Sequence, residues 1–394
     1  MIKATRTQWI KFAVVLALYL IFLVWLRSWL GLVVVPFIFD AYITKKIPWT
    51  WWRKSKNRHV VTVMGWVDAI VFALVAVYFV NLYFFQNYVI PSSSLEKSLL
   101  TGDYLFVSKM SYGPRVPQTP LHMPLAQHTL PFFNCKSYLE HPQWDYKRVK
   151  GLGDVQLNDI VVFNFPAGDT VATGVPNDDI YRLSYGAGKE LAKPVDLASM
   201  TPEQQRVVYD YYYQLGREYL KENPQNFGEI ISRPVDRREN YVKRCVGLPG
   251  QTLEIKDRII YLDGKANKEP DNVQYRYLVK TKRPIPDDLA HELGISKEDM
   301  MMYYTDASVY NMPLTEKAKA GLLARKDIVV SIENTPADDA GGLYPLNMYK
   351  NWTTDNYGPV WIPKKGETVK LTIENLPVYE RPIHVYEGNE LAVK

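Results

Sequence analysis

Val89-Ile90-Pro91-Ser92-Ser93-Ser94-Leu95 is a run of serines entered through an extended, pre-proline residue, a few positions beyond a long apolar stretch and just before Thr101-Gly102-Asp103. A serine hydroxyl is a poor nucleophile at neutral pH. A reactive one needs a base within hydrogen-bond reach and donors for the oxyanion formed on attack. Sequence cannot show that proximity, but it does supply the setting, which is a turn of small residues directly after a membrane-type segment.

Upstream, Lys3, Arg6 and Lys11 precede an apolar run from Phe12 to about Phe39. Its length exceeds the roughly 7 to 15 residues of a signal-peptide core, and no small-x-small site ends it, so it reads as an anchor. The expectation is one tilted crossing. A bend at Arg27-Ser28 into two pieces is the alternative, although each piece would be shorter than the roughly 20 residues of a span. Lys45, Lys46, Arg53, Lys54, Lys56 and Arg58 follow, with Trp49, Trp51 and Trp52 among them, the pattern of a short cytoplasmic loop at a membrane surface. Val60 to Phe85 is the second span, and it delivers Ser94 to the outer face. With one crossing, Lys3, Arg6 and Lys11 fall outside, against the charge rule. The expected organisation is therefore an anchor at 1–43, a basic loop at 44–59, a second transmembrane helix at 60–85 and an extracytoplasmic domain at 86–394.

From Gln86 onward the chain reads as short strands broken by turns, Asp103–Val107 and Asp159–Phe165 the clearest, so a mostly-β exterior domain with α/β insertions is expected. Pro114, Pro117, Pro120, Pro124 and Pro131 mark an extended loop. Thr201-Pro202-Glu203-Gln204 is a capping box with proline at the first helical position, and it opens a Tyr-rich helix running to about Glu222. Thr252 to Lys265 reads as a hairpin turning at Asp263-Gly264, Val369 to Lys394 as more of the same sheet, and residues 270 to 365 as weakly patterned. The formal charge of +5 is mild and no basic patch outside the membrane-proximal region interleaves with aromatics, so no nucleic-acid partner is expected. Cys135 and Cys245 lack metal-ligand spacing and read as free buried thiols, with a disulfide the alternative. No metal and no cofactor are expected.

Three blocks then fall in order. Pro91-Ser92-Ser93-Ser94-Leu95 leads to Leu99, Gly102-Asp103, Val107, Lys109 and Tyr112-Gly113; Asp159-Ile160-Val161-Val162-Phe163 follows; Tyr241-Val242-Lys243-Arg244-Cys245-Val246-Gly247-Leu248-Pro249-Gly250 closes the set. In that order they resemble bacterial type I signal peptidases, and the insertions at about 168–236 and 266–365 resemble a long-insert form of that enzyme. The resemblance implies Ser94 as nucleophile, Lys243 as general base, and the Ser92 hydroxyl with the Ser94 N–H as oxyanion hole. It also implies that Ile90, Leu95, Leu99, Tyr241 and Val242 line shallow pockets for small side chains. A lysine amine is a usable base only when its pKa of about 10.4 is depressed, as desolvation does.

Each role has a plainer rival. The serines could be turn residues, and Lys243-Arg244 a solvated surface pair. Ser94-Leu95-Glu96-Lys97 is also a Ser-x-x-Lys, as in penicillin-binding transpeptidases, but the downstream Lys-Thr-Gly is missing and the upstream Ser-x-Asn lies in the basic loop. Lys97 is read as exposed. The family's final block, Gly-Asp-Asn-Arg with a following Ser and Asp-Ser-Arg, is absent, and Thr354–Gly358 is a faint echo of it. The expectation is therefore a membrane-bound serine endopeptidase, facing outward from the cytoplasmic membrane, that removes signal peptides from exported precursors and has the lipid bilayer as its other partner. A truncated or non-catalytic homologue is the alternative, since the chain stops in what reads as a strand with an unpaired edge.

Overall fold

The computed structural model describes residues 4–133, 135–301, 304–306, 308–336, 343–346 and 352–392. The chain divides into two compact units, the first built from Met1–Ile90, Gly102–Val155 and Pro234–Asn240, the second from Pro91–Thr101, Gln156–Arg233 and Tyr241–Lys394.

In the first unit, α1 (Arg6–Leu26) starts with a capping box between Thr5 and Gln8. It stops at Arg27, whose left-handed backbone (φ 51°) returns its N–H to the carbonyls of Leu23 and Val24. The single crossing expected for Phe12 to Phe39 is thus replaced by a bent arrangement. The tyrosine hydroxyl of Tyr19 donates to the Gly31 carbonyl at 2.7 Å. A Cβ on Gly31 would lie 2.2 Å from a Leu23 methyl carbon, so a larger residue there would push the Leu23 side chain aside. Leu30–Thr44 then returns along α1, and Phe39 meets Trp9 and Phe12 at ring separations of 6.3 and 5.4 Å. The arm's end is tied by Asp40, a buried carboxylate that accepts from the Thr44 hydroxyl, the backbone N–H groups of Lys46 and Ile47, and the Trp49 indole. This return brings the basic loop to the same end as Arg6 and Lys11. Lys3 lies outside the described residues.

The second long helix, α2 (Arg58–Tyr83), is capped by Asn57 and ends with Tyr83 against Phe22 and Trp25 of α1, so both helices run the same way. Both are long and apolar enough to cross a membrane, and they leave Val24, Trp66 and Phe72 about 70% exposed (68, 69 and 75%). Beyond α2 the chain pairs β1 (Phe85–Val89) antiparallel with β2 (Tyr104–Ser108). The proline-rich segment is more than a surface loop. Thr119 is fully buried, and its N–H and hydroxyl, with the Gln118 N–H, donate to one oxygen of Asp236 at 3.0 Å.

The second unit is built from several pieces. The first is the two-stranded ladder of β3 (Ile160–Asn164) and β4 (Asn240–Arg244). The first insertion adds a helical hairpin, α3 (Ile180–Leu191) and α4 (Pro202–Glu222), with the Thr201–Gln204 capping box formed as the sequence predicts. These helices touch backbone to backbone: a Cβ on Gly188 would lie 1.8 Å from the Tyr212 carbonyl oxygen, and one on Gly216 1.7 Å from that of Ser184.

The predicted hairpin is a three-strand meander, β5 (Thr252–Lys256), β6 (Ile259–Leu262) and β7 (Lys265–Ala266). Asp257-Arg258 and Asp263-Gly264 each place two residues at positive φ, the tight-turn geometry that matches strand twist. The second insertion, read as weakly patterned, holds an antiparallel sheet and its own core. β8 (Gln274–Thr281) leads through α5 (Asp287–Glu292) and α6 (Lys297–Met301) to β9 (Tyr304–Asp306) and β10 (Val309–Thr315). After α7 (Glu316–Ala324), β11 (Val329–Asn334) completes the order β9-β10-β8-β11. Tyr277, Val279, Tyr310, Met312 and Leu314 point inward. Pro313 hid β10 in the sequence, yet it lies past the last residue paired with β9, where the strand has a single neighbour.

β12 (Tyr357–Trp361) joins β5 at the meander's edge. The sheet expected from Val369 onward does not form. Asn375 turns the chain by accepting the Thr372 N–H and donating to the Lys370 carbonyl, and α8 (Leu376–Arg381) follows with proline in its first turn. Val369 instead packs on Trp352, Val378 and Tyr379. No unpaired strand edge forms there among the described residues; Val393 and Lys394 lie outside them. Both cysteines are free, and Cys135 is exposed rather than buried.

The helical hairpin offers the sharpest stability test. Gly188→Val should lower stability by at least about 2 kcal/mol through overpacking at the helix crossing, read as a fall in the denaturation midpoint, whereas Gly186→Ala, with open space at its Cβ, should not.

Candidate active site

Ser94 sits in a single 3-10 turn, Ser93–Leu95, entered through Ser92 in extended conformation (φ −145°, ψ 156°). Pre-proline geometry at Ile90 and three small residues make this turn possible without burying any hydroxyl. The turn is closed by Glu96 N–H to the Ser93 carbonyl at 2.9 Å and by Leu99 N–H to the Leu95 carbonyl at 2.8 Å. Ser94 itself is exposed.

Lys243 comes from β4, where strand alternation sends Tyr241 and Lys243 to one face and Val242 and Arg244 to the other. The Lys243 Nζ donates to the Ser94 Oγ at 2.6 Å. Partial burial of the amine holds its pKa below the ordinary lysine value of 10.5. Among the described residues no carboxylate pairs with it, so nothing restores the charged form. The contact is therefore one proton shift away from a serine O–H donating to a neutral amine.

Arg244 is the feature the sequence reading missed, having been weighed only as half of a solvated pair. Its guanidinium donates to the Asn158 carbonyl at 2.8 Å and to the Ser98 hydroxyl at 3.1 Å. One side chain thus ties β4 both to the start of β3 and to the segment that carries Ser94. Alternation along β4 was the signal that could have separated it from Lys243.

The remaining sequence candidates fall out unevenly. Ser92 is exposed, and its hydroxyl has no partner among the described residues. Leu95, Leu99 and Val242 are half-buried. Tyr241 stacks on Phe165 at 4.4 Å, donates its hydroxyl to the Asn177 carbonyl at 3.1 Å, and holds its ring 5.8 Å from the Lys243 Nζ. Ile90 is only 3% exposed, its backbone bonded to Asp103 and Gly102, so it is a core residue of the first unit. Lys97 is not exposed: its side chain retains 19% of its surface and faces Asp299 at 3.6 Å. The faint echo at Thr354–Gly358 serves the β5–β6 turn, where Asp355 pairs with Arg258 and Asn356 accepts the Asp257 N–H.

The model of the family described as signal peptidase, peptidase S26, matches residues 63–292, more than half of the 394-residue chain and a span that includes both Ser94 and Lys243. The chain belongs to this family. Its relatives include a signal peptidase I of Helicobacter pylori, 42% identical over 56 residues, or 14% of this chain and 18% of that protein. Signal peptidase I P of Bacillus subtilis subsp. natto is 27% identical over 103 residues, covering 25% of this chain and 52% of the relative. Signal peptidase I of Rickettsia prowazekii is 24% identical over 165 residues, 38% and 56% respectively. The chain thus spans about half the length, or less, of these relatives. No solved structure matches it.

Burial of Lys243 makes a direct prediction. An NMR titration of isotopically labelled lysine should place the Lys243 midpoint below 10.5, the direction burial sets; a midpoint at or above that value would refute the desolvated amine.

Proposed function

We propose that this chain is a membrane-bound serine endopeptidase that removes N-terminal signal peptides from exported precursor proteins. The observation that carries the reading is the 2.6 Å contact between the Lys243 amine and the Ser94 hydroxyl in a chain of the S26 family. Neutral Lys243 accepts the Ser94 proton as Oγ attacks the scissile carbonyl carbon. The oxyanion is met by the Ser94 N–H, which in the first turn of a helix has no intrahelical partner, and by the Ser92 hydroxyl. Protonated Lys243 then gives its proton to the leaving amine, and the mature protein departs. Water, deprotonated by Lys243, attacks the acyl-enzyme and releases the signal peptide as a carboxylic acid with Ser94 restored.

Leu95, Leu99, Tyr241 and Val242 would restrict the pockets before the cleaved bond to small side chains. The transpeptidase alternative is weakened by its own lysine, because Lys97 is drawn to Asp299 and the Ser94 hydroxyl is held by Lys243 instead.

Two apolar helices and a loop of six cations support a lipid bilayer as the second partner. The return arm Leu30–Thr44 puts the start of α1 and the basic loop at one end, so a cytoplasmic position for that end satisfies the charge rule for both. The catalytic part of the chain would then follow α2 out of the membrane on the periplasmic side.

Ser94→Ala and Lys243→Ala should each abolish cleavage of a precursor with a small-x-small site, and Ser92→Ala should lower kcat by about 10²–10³ with little change in KM. Substantial turnover by Lys243→Ala sinks the dyad. The rate of the unmodified chain should rise with pH as the Lys243 amine loses its proton, since only the neutral form is a base. For topology, single cysteines at Ala4 and Ser55 should both be labelled from the cytoplasmic side alone; labelling from opposite sides would restore the single crossing.

A further inference from the structure

The second insertion reaches the turn that carries Ser94 through two side chains. Lys97, three residues after Ser94, has left-handed backbone (φ 69°), a conformation that non-glycine residues rarely adopt. That conformation turns its carbonyl toward Asn272, whose side-chain amide donates to it at 3.2 Å. Its ammonium faces Asp299 at 3.6 Å, with side-chain exposures of 19% and 9%.

Asp299 does not depend on Lys97 for its own placement. Its N–H donates to the Ser296 hydroxyl at 3.0 Å, and its Oδ2 accepts the Ser296 N–H at 3.3 Å, a reciprocal cap at the start of α6. The carboxylate that closes this cap is therefore presented to Lys97 from a preformed helix start. On the opposite flank, Arg244 holds Ser98 at 3.1 Å. The exit of the turn is thus held at both Lys97 and Ser98, while Ser94 is exposed and, among the described residues, its side chain is held by Lys243. A hydroxyl on one turn of 3-10 helix stays in line with its base only if the strained residue behind it cannot relax.

We infer that Asn272 and Asp299 are positioning residues for the Ser94–Lys243 pair: through Lys97 they hold the turn so that the nucleophile remains at its base. This deepens the proposed peptidase reading and rests on it. Neither residue touches substrate; the effect passes through the backbone of residues 94–97.

The test uses the full chain in detergent, with a precursor peptide as substrate. Asp299→Asn keeps an acceptor for the Ser296 cap and removes the charge, while Lys97→Met keeps the stem and removes the ammonium. Each should lower kcat about tenfold, inside the 10²-fold loss that a misplacement of 1 Å can cause, with KM changed by less than about twofold. The double variant should be no slower than the slower single one, and Lys97→Arg should recover most of the rate. Ser296→Ala, which weakens the cap and leaves the ion pair, is the control for a merely structural role and should lower the thermal midpoint while holding kcat within about twofold. Wild-type kcat in Asp299→Asn, or equal losses in Asp299→Asn and Ser296→Ala, overturns the inference. Amide exchange over residues 94–99 is read in parallel and should speed up in Asp299→Asn; unchanged exchange also overturns it. An unmodified chain that cleaves no more than Ser94→Ala would instead bring down the peptidase reading, and the exchange data would still decide the clamp.

Discussion

A lysine can act as a base toward a serine only while its own charge is disfavoured, and the ladder of β3 and β4 sets that condition for Lys243. The Lys243 amine must lie within hydrogen-bond reach of the Ser94 Oγ, as it does at 2.6 Å, and must lose water and gain no carboxylate in doing so. A strand meets this requirement well, because its side chains alternate. β4 shows Lys243 to the Ser94 hydroxyl and Arg244, one residue on, to the opposite face, where the guanidinium finds the Asn158 carbonyl and the Ser98 hydroxyl. Neighbouring cations thereby take unlike environments. The arginine is hydrogen-bonded, and the lysine is left half-buried with no carboxylate beside it among the described residues.

The insertions are more than decoration on this ladder. The first one supplies the Asn177 carbonyl that fixes the Tyr241 hydroxyl, and so sets the ring that lies beside the Lys243 amine. The second builds a sheet with its own core of Tyr277, Met312, Leu314 and Leu322. Asn272 and Asp299, from the same insertion, meet Lys97. A turn of small residues has little packing of its own, so its geometry depends on what neighbouring elements hold in place.

In the first unit the governing constraint is charge. One tilted crossing would have separated Arg6 and Lys11 from the basic loop by the thickness of a bilayer. The fold-back at Arg27, ended by the Asp40 carboxylate, gathers them at one end. The segment from Leu30 to Thr44 is shorter than α1, and it packs along α1 through Phe39, Phe12 and Trp9.

Local chemistry made much of this legible in advance. The capping box at Thr201–Gln204, the Asp263-Gly264 turn, the two long apolar helices and the ordered blocks around Ser94 and Lys243 are each set by residues adjacent in the chain, where backbone preference and hydropathy act directly. What depended on distant partners could not be read. The alternation of Val369–Ile373 looked like a strand, but a strand needs a neighbour, and Val369 found Trp352 and Tyr379 instead. Lys97 looked like a solvated cation until Asp299, two hundred residues later, took it out of water. The fit of Gly31 against Leu23 and of Gly188 against Tyr212 likewise became visible only once the chain had closed on itself. Sequence by itself determined the local elements and singled out Ser94 and Lys243 as candidates. The tertiary structure decided their partners, because desolvation and ion pairing belong to an environment that residues far apart in the chain create together.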